Sequence, residues 1–167
     1  MPEISVSVVI IAMPPFEINH LNSLKEFEGR ELPPTDWLVL TQDRIQKFAE
    51  ATEDRQWIHV DPERAARESP YGGTIAHGFL TLSLISYFCG QAICVRGGVG
   101  MRVNYGLNRV RFPSALRAGS AIRARVTLLS VKESAEFVDI IFSVKIEGEG
   151  AEKPCCVAEW LVRYYRA

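Results

Sequence analysis

The stretch Thr74-Ile75-Ala76-His77-Gly78-Phe79-Leu80-Thr81-Leu82-Ser83-Leu84-Ile85-Ser86-Tyr87-Phe88-Cys89-Gly90-Gln91-Ala92-Ile93-Cys94-Val95 decides how the rest of the chain is read. It is the most apolar segment of the sequence and holds no aspartate or glutamate. Its length approaches that of a membrane span, yet His77, Gly78, Thr81, Ser83, Ser86, Gly90 and Gln91 interrupt it with polar and small residues. Hydrocarbon would leave such groups unpaired, so the pattern predicts a central helix of about residues 75–95 buried in protein.

Downstream of it the hydrophobic period changes to two. Val99, Met101, Val103, Tyr105 and Leu107 share one parity while Val110 and Phe112 take the other, which predicts a strand with a bulge near Gly106 to Arg109. Further strands are expected where Ile122, Ala124, Val126 and Leu128 alternate, again over Val138 to Ile146, and last over Ala158 to Tyr164. Gly97-Gly98-Val99-Gly100 lies between helix and strand, the reverse of the order in phosphate-cradling loops, and reads as a turn.

Upstream, Trp37 to Leu40 suits a strand, and Thr41 can cap a helix with Ile45, Phe48, Ala49 and Thr52 on one face. Asp61-Pro62-Glu63 is a second helix start, with a capping carboxylate, a proline in the first turn and an acid at the positive dipole end. Leu21, Leu24 and Phe27 suggest a short helix ending at Gly29, and the alternation Ile4, Val6, Val8, Ile10 suggests an added strand or arm. The fold class expected is α+β: one domain over 18–167, an antiparallel sheet wrapped round the central helix, with 1–17 as an N-terminal extension. Such a sheet leaves open edges, which pairing with a second copy would close, as a homodimer or a dimer of dimers.

At 167 residues and 47% hydrophobic, the chain suits one core and is short for two. Nineteen lysines and arginines against twenty acids give no field that favours nucleic acid or an anionic membrane surface. The cysteines, Cys89, Cys94, Cys155 and Cys156, have no metal-ligand spacing, and the adjacent pair cannot easily close a relaxed disulfide, so neither metal nor disulfide is expected. A reducing cytoplasm fits, and the apolar run from Ile4 to Met13 lacks the basic start of a secretion signal.

Chemistry concentrates in Asp54-Arg55-Gln56-Trp57-Ile58-His59, which sets a carboxylate and an imidazole five residues apart in a non-helical link. Such a pair can exchange protons near neutral pH, and with no cysteine or serine beside it water is the obvious nucleophile. Spacing alone favours the ordinary reading, in which Asp54 caps and His59 packs. The segment Ala51 to Pro62, followed by Ile75-Ala76-His77-Gly78-Phe79, changes that balance, because it resembles the MaoC-like, or (R)-specific enoyl-CoA hydratase, family. The resemblance covers roughly residues 35–166, and Gln56-Trp57-Ile58-His59 with Asn104 to Asn108 is similar to its nodulation-protein-N-like branch.

That resemblance implies a hot-dog fold and syn addition of water to a trans-2-enoyl thioester, giving an (R)-3-hydroxyacyl thioester. It implies Asp54 and His59 as the catalytic pair that holds the water, one taking its proton and the other supplying a proton to C2; of the two we assign Asp54 as base and His59 as acid. An acyl-CoA thioester is then the substrate partner, with coenzyme A part of the substrate and no separate cofactor. Substrate binding is expected of Gly78, whose N–H can meet the thioester carbonyl, of Asn108, and of Ser86, nine residues after His77. Ser86 fits a helix hydroxyl bonded back to a carbonyl equally well, and His77 fits a structural role better than a catalytic one. Tyr71, Phe79 and Leu82 can line an acyl pocket or simply pack, and Arg109 and Arg111 can meet phosphates or water. The chain departs from the family at Glu53, usually glycine, and at Gln56-Trp57, usually Asn-Pro, where Trp57 could narrow the pocket. A hot-dog thioesterase is the alternative, weakened by the absence of a carboxylate between Thr74 and Val95; a non-catalytic acyl-thioester binding protein is the other.

Overall fold

Alternation in the C-terminal half produces the sheet directly. Ile122, Ala124, Val126 and Leu128 are fully buried on one face of β5 (Ala121–Glu133), while Arg123, Arg125 and Thr127 point outward. β6 (Phe137–Gly148) and β7 (Cys156–Arg166) repeat the pattern and pair antiparallel with their neighbours. β4 (Val99–Arg111) pairs with β7, and the short β2 (Leu38–Val39) adds to β5, so the order is β2-β5-β6-β7-β4. The expected bulge in β4 is present between Leu107 and Arg109, with further register shifts at Val99/Met101 and Asn104/Gly106. This computed structural model describes residues 14–167, so the strand or arm expected at Ile4 to Ile10 lies outside the described residues.

The apolar face of the sheet is covered by α4 (Gly78–Ser83) and α5 (Ile85–Ala92), α4 packing on β7 and α5 on β5. Phe88 of α5 is fully buried there. The central helix is therefore shorter than the expected 75–95 and is interrupted at Leu84. At its start, Ile75 bridges to Arg117 and the Ala76 N–H donates to the Leu116 carbonyl, which holds that segment extended. At its end, Ile93 turns into β3 (Ile93–Gly97), which pairs in parallel with β1 (Phe16–His20). Between them, the Thr81 and Ser83 hydroxyls donate back to the carbonyls of Gly78 and Leu80, competing with the helical ladder just before the break.

The short helix expected from Leu21 is a 3-10 helix over Leu21–Phe27. Its apolar spacing of three is the 3-10 repeat, and Leu21 and Leu24 are fully buried. α1 (Gln42–Thr52) starts where Thr41 accepts a bond from the Arg44 N–H, and α3 (Pro62–Glu68) starts where Asp61 accepts from Arg64. Between them lies α2 (Trp57–Val60), a single turn. Among the described residues no helix is long and apolar enough to cross a membrane.

Candidate active site

α1 ends at Thr52, the chain stays non-helical from Glu53 through Gln56, and α2 then lifts His59 inward. Asp54 thus sits in the link with its side chain 55% exposed, while His59 is buried. A carboxylate oxygen of Asp54 and one ring nitrogen each of His59 and His77 lie within 4.8 Å of one another. A water at ordinary hydrogen-bond distance from two groups spans separations up to roughly 5.6 Å, so one water can bridge Asp54 and His59.

Backbone carbonyls fix the protons on both imidazoles. His59 Nδ1 lies 2.7 Å from the Ile75 carbonyl, which can only accept, so Nδ1 carries hydrogen and Nε2 is left with its lone pair in the neutral ring. His77 Nε2 donates to the Asp54 main-chain carbonyl at 2.9 Å and stands 4.0 Å from the Asp54 carboxylate. The two rings stack with centroids 3.7 Å apart. His77 thereby packs against the catalytic candidate and tethers the link that carries Asp54, which is the structural role its sequence context favoured. Its other nitrogen, Nδ1, is buried without a hydrogen-bond partner among the described residues. Burial holds the His59 pKa below the usual 6.5; the bond to Ile75 opposes this, neighbouring His77 reinforces it, and Asp54 pulls weakly the other way.

His59 opens onto a cavity of about 240 Å³ that it shares with Tyr71, Gly78, Thr81, Phe112 and Cys155. The Phe112 ring lies 3.0 Å from where a side chain on Gly78 would begin, so any larger residue there would have to push that ring aside. Asp54, His59 and Gly78 are therefore gathered at one end of the central helix. Ser86 is exposed and lines a separate groove of about 180 Å³ with Asn104 and Trp160, whose indole N–H donates to Asn104 at 2.8 Å. Phe79 and Leu82 line an adjoining part of that groove. Asn108 is exposed in the β4 bulge and lines neither space. Trp57 lies under the Arg64 guanidinium, 4.4 Å from its ring centroid, and is not in the cavity wall.

Sequence order placed no cysteine or serine beside the pair, but the fold brings Cys155 and Ser114 into the cavity wall. Neither is an activated nucleophile. Burial pushes the Cys155 thiol up to about 12, and Ser114 donates its hydroxyl hydrogen to the Pro154 carbonyl at 3.0 Å. Asp54, His59 and His77 are also spaced so that they could hold a metal ion, although His59 Nδ1 and His77 Nε2 are committed to backbone carbonyls.

The MaoC like domain model matches residues 25–148, a span that contains α1, the pair and the central helix. The chain belongs to the MaoC-like domain family. Among MaoC-like relatives it is 47% identical to 3-hydroxyacyl-thioester dehydratase Z of Mycobacterium tuberculosis, over 81% of this chain and 89% of that one. It is 44% identical to Nodulation protein N of Rhizobium leguminosarum, over 80% and 83% respectively. The MaoC-like dehydratase of Rhodospirillum rubrum shares its fold with a TM-score of 0.65 at 20% identity, covering 84% of this chain and 93% of that structure. The sheet curled round a central helix is the hot-dog architecture expected of a MaoC-like chain.

Proposed function

We propose that this protein adds water to trans-2-enoyl-CoA, giving (R)-3-hydroxyacyl-CoA, and catalyses the reverse dehydration. Membership of the MaoC-like family makes it an enzyme of the hydro-lyase class acting on acyl thioesters. The finer reading rests on one observation: Asp54 stands a water's span from His59, and His59 shares a cavity wall with Gly78.

In hydration a water O–H bond breaks, oxygen bonds to C3, and hydrogen ends on C2. Neutral His59, with its lone pair on Nε2, takes one water proton and returns it to C2, while the Asp54 carboxylate accepts a hydrogen bond from the water's other O–H, which stays on the oxygen, and so aims that oxygen at C3. This gives His59 the basic role, the reverse of the assignment made from the sequence, because its burial favours the neutral ring. Oxygen and hydrogen both arrive from the side of the double bond that faces the pair, so the addition is syn. The Gly78 N–H donates to the thioester oxygen as enolate charge develops there. Ser86 and Asn108 are the further proposed substrate contacts, Ser86 from the groove it shares with Asn104 and Asn108 from the exposed β4 bulge.

Two copies are proposed to pair through β4, the edge of the sheet, where Met101, Tyr105 and Leu107 are exposed. The test of function is crotonyl-CoA, followed by loss of enoyl absorbance with free thiol measured in parallel. Loss of absorbance with a chirally pure (R)-product and no thiol is expected. Thiol release without hydration would establish a thioesterase instead, and tight binding without turnover a binding protein.

A further inference from the structure

α2, which carries His59, has only four residues, too few for a helix to hold its own geometry. What fixes it comes from elsewhere in the chain. The Gln42 side chain, from the first turn of α1, donates from Nε2 to the His59 carbonyl at 2.7 Å and accepts at Oε1 from the Thr74 hydroxyl. Those partners leave one orientation of the amide: a main-chain carbonyl only accepts, so the NH₂ must face His59, and Thr74 must then donate to the oxygen. Thr74 precedes Ile75, whose carbonyl accepts from His59 Nδ1 and whose N–H donates to the Ile58 carbonyl at 3.0 Å. Farther back, the Thr74 carbonyl is itself pinned by the Ala118 N–H at 2.9 Å. One half-buried glutamine therefore ties the backbone of His59 to the same short segment that holds its ring.

From this closed set of bonds we infer that Gln42 and Thr74 are positioning residues. Together they keep the Ile75 carbonyl on His59 Nδ1, so that Nε2 faces the cavity with its lone pair. Neither lines the cavity, so they act through His59 and not on the substrate. The catalytic consequence rests on the hydratase reading; the effect on the imidazole does not.

The experiment compares Gln42→Glu, Thr74→Val and Thr74→Ser with the parent enzyme by ¹⁵N NMR of the histidine rings and by crotonyl-CoA kinetics. Gln42→Glu keeps the acceptor for Thr74 but cannot donate to the His59 carbonyl. Thr74→Val keeps the shape and loses the hydroxyl, and Thr74→Ser keeps the hydroxyl. The parent should show His59 as the Nδ1–H tautomer. Gln42→Glu and Thr74→Val should show mixed tautomers with kcat lowered by about tenfold to a hundredfold at unchanged KM, and Thr74→Ser should restore both readouts. An unaltered tautomer in Gln42→Glu and Thr74→Val overturns the inference, whether or not the parent hydrates crotonyl-CoA. A tautomer that shifts in an enzyme without hydratase activity supports the clamp while removing the proposed function.

Discussion

Glu53 closes α1 with a φ of 59°, in the left-handed region that costs a residue with a side chain roughly 1–2 kcal/mol. Its carboxylate reaches Arg55 at 3.0 Å, but both side chains are exposed and the pair contributes little. Glu53→Gly should therefore stabilise the fold by about 1 kcal/mol, read as a higher urea midpoint; a lower midpoint would show that the left-handed turn is not strained. The sequence marked Glu53 as a departure from the family glycine, but the reason, a backbone angle, is a property of the folded chain. At His59 the lowered pKa gives a signed expectation. Protonation at Nε2 removes the lone pair proposed to take the water proton, so kcat/KM for hydration should fall with acidification, with a midpoint below 6.5. A rate that rises through that range as His59 gains its proton would assign it the acid role instead.

The elements were legible where one periodicity dominated. Leu21, Leu24 and Phe27 signalled a turn of helix by spacing, and the caps at Thr41 and Asp61 sit where their side chains predicted. The central helix was legible as buried but not in its limits. Nothing in Leu84 or Ile85 announces a break; it accompanies the Thr81 and Ser83 hydroxyls bonding to their own helix, a choice made between equally available partners. β4 carries the element-scale test of assembly. With Met101 and Leu107 exposed along the edge, the protein should sediment at twice the chain mass, and Met101→Lys with Leu107→Lys should return it to a monomer by repelling charges across the two-fold axis. A parent that sediments as a monomer would refute pairing through β4.

Across the whole molecule, the alternation from Ile122 to Tyr164 prescribes a sheet with one apolar face, and the acid-free segment after Thr74 is the helix that covers it. The site is less legible because much of it is main chain. Asp54 and His59 are visible as letters, but the Ile75 and Asp54 carbonyls that orient the two imidazoles have no side-chain signature. Gln42 and Thr74 stand thirty-two residues apart and read as an ordinary helix start and a loop residue until the fold joins them. Cys155 enters the cavity wall only because β7 returns beside the central helix. The central claim, that Asp54 and His59 hold one water and His59 deprotonates it, is tested most directly by crotonyl-CoA hydration in Asp54→Asn and His59→Gln, each first shown to unfold cooperatively like the parent. The expected result is a fall in kcat on the order of a hundredfold to ten-thousandfold in each variant, and hydration undiminished in either folded variant would contradict it.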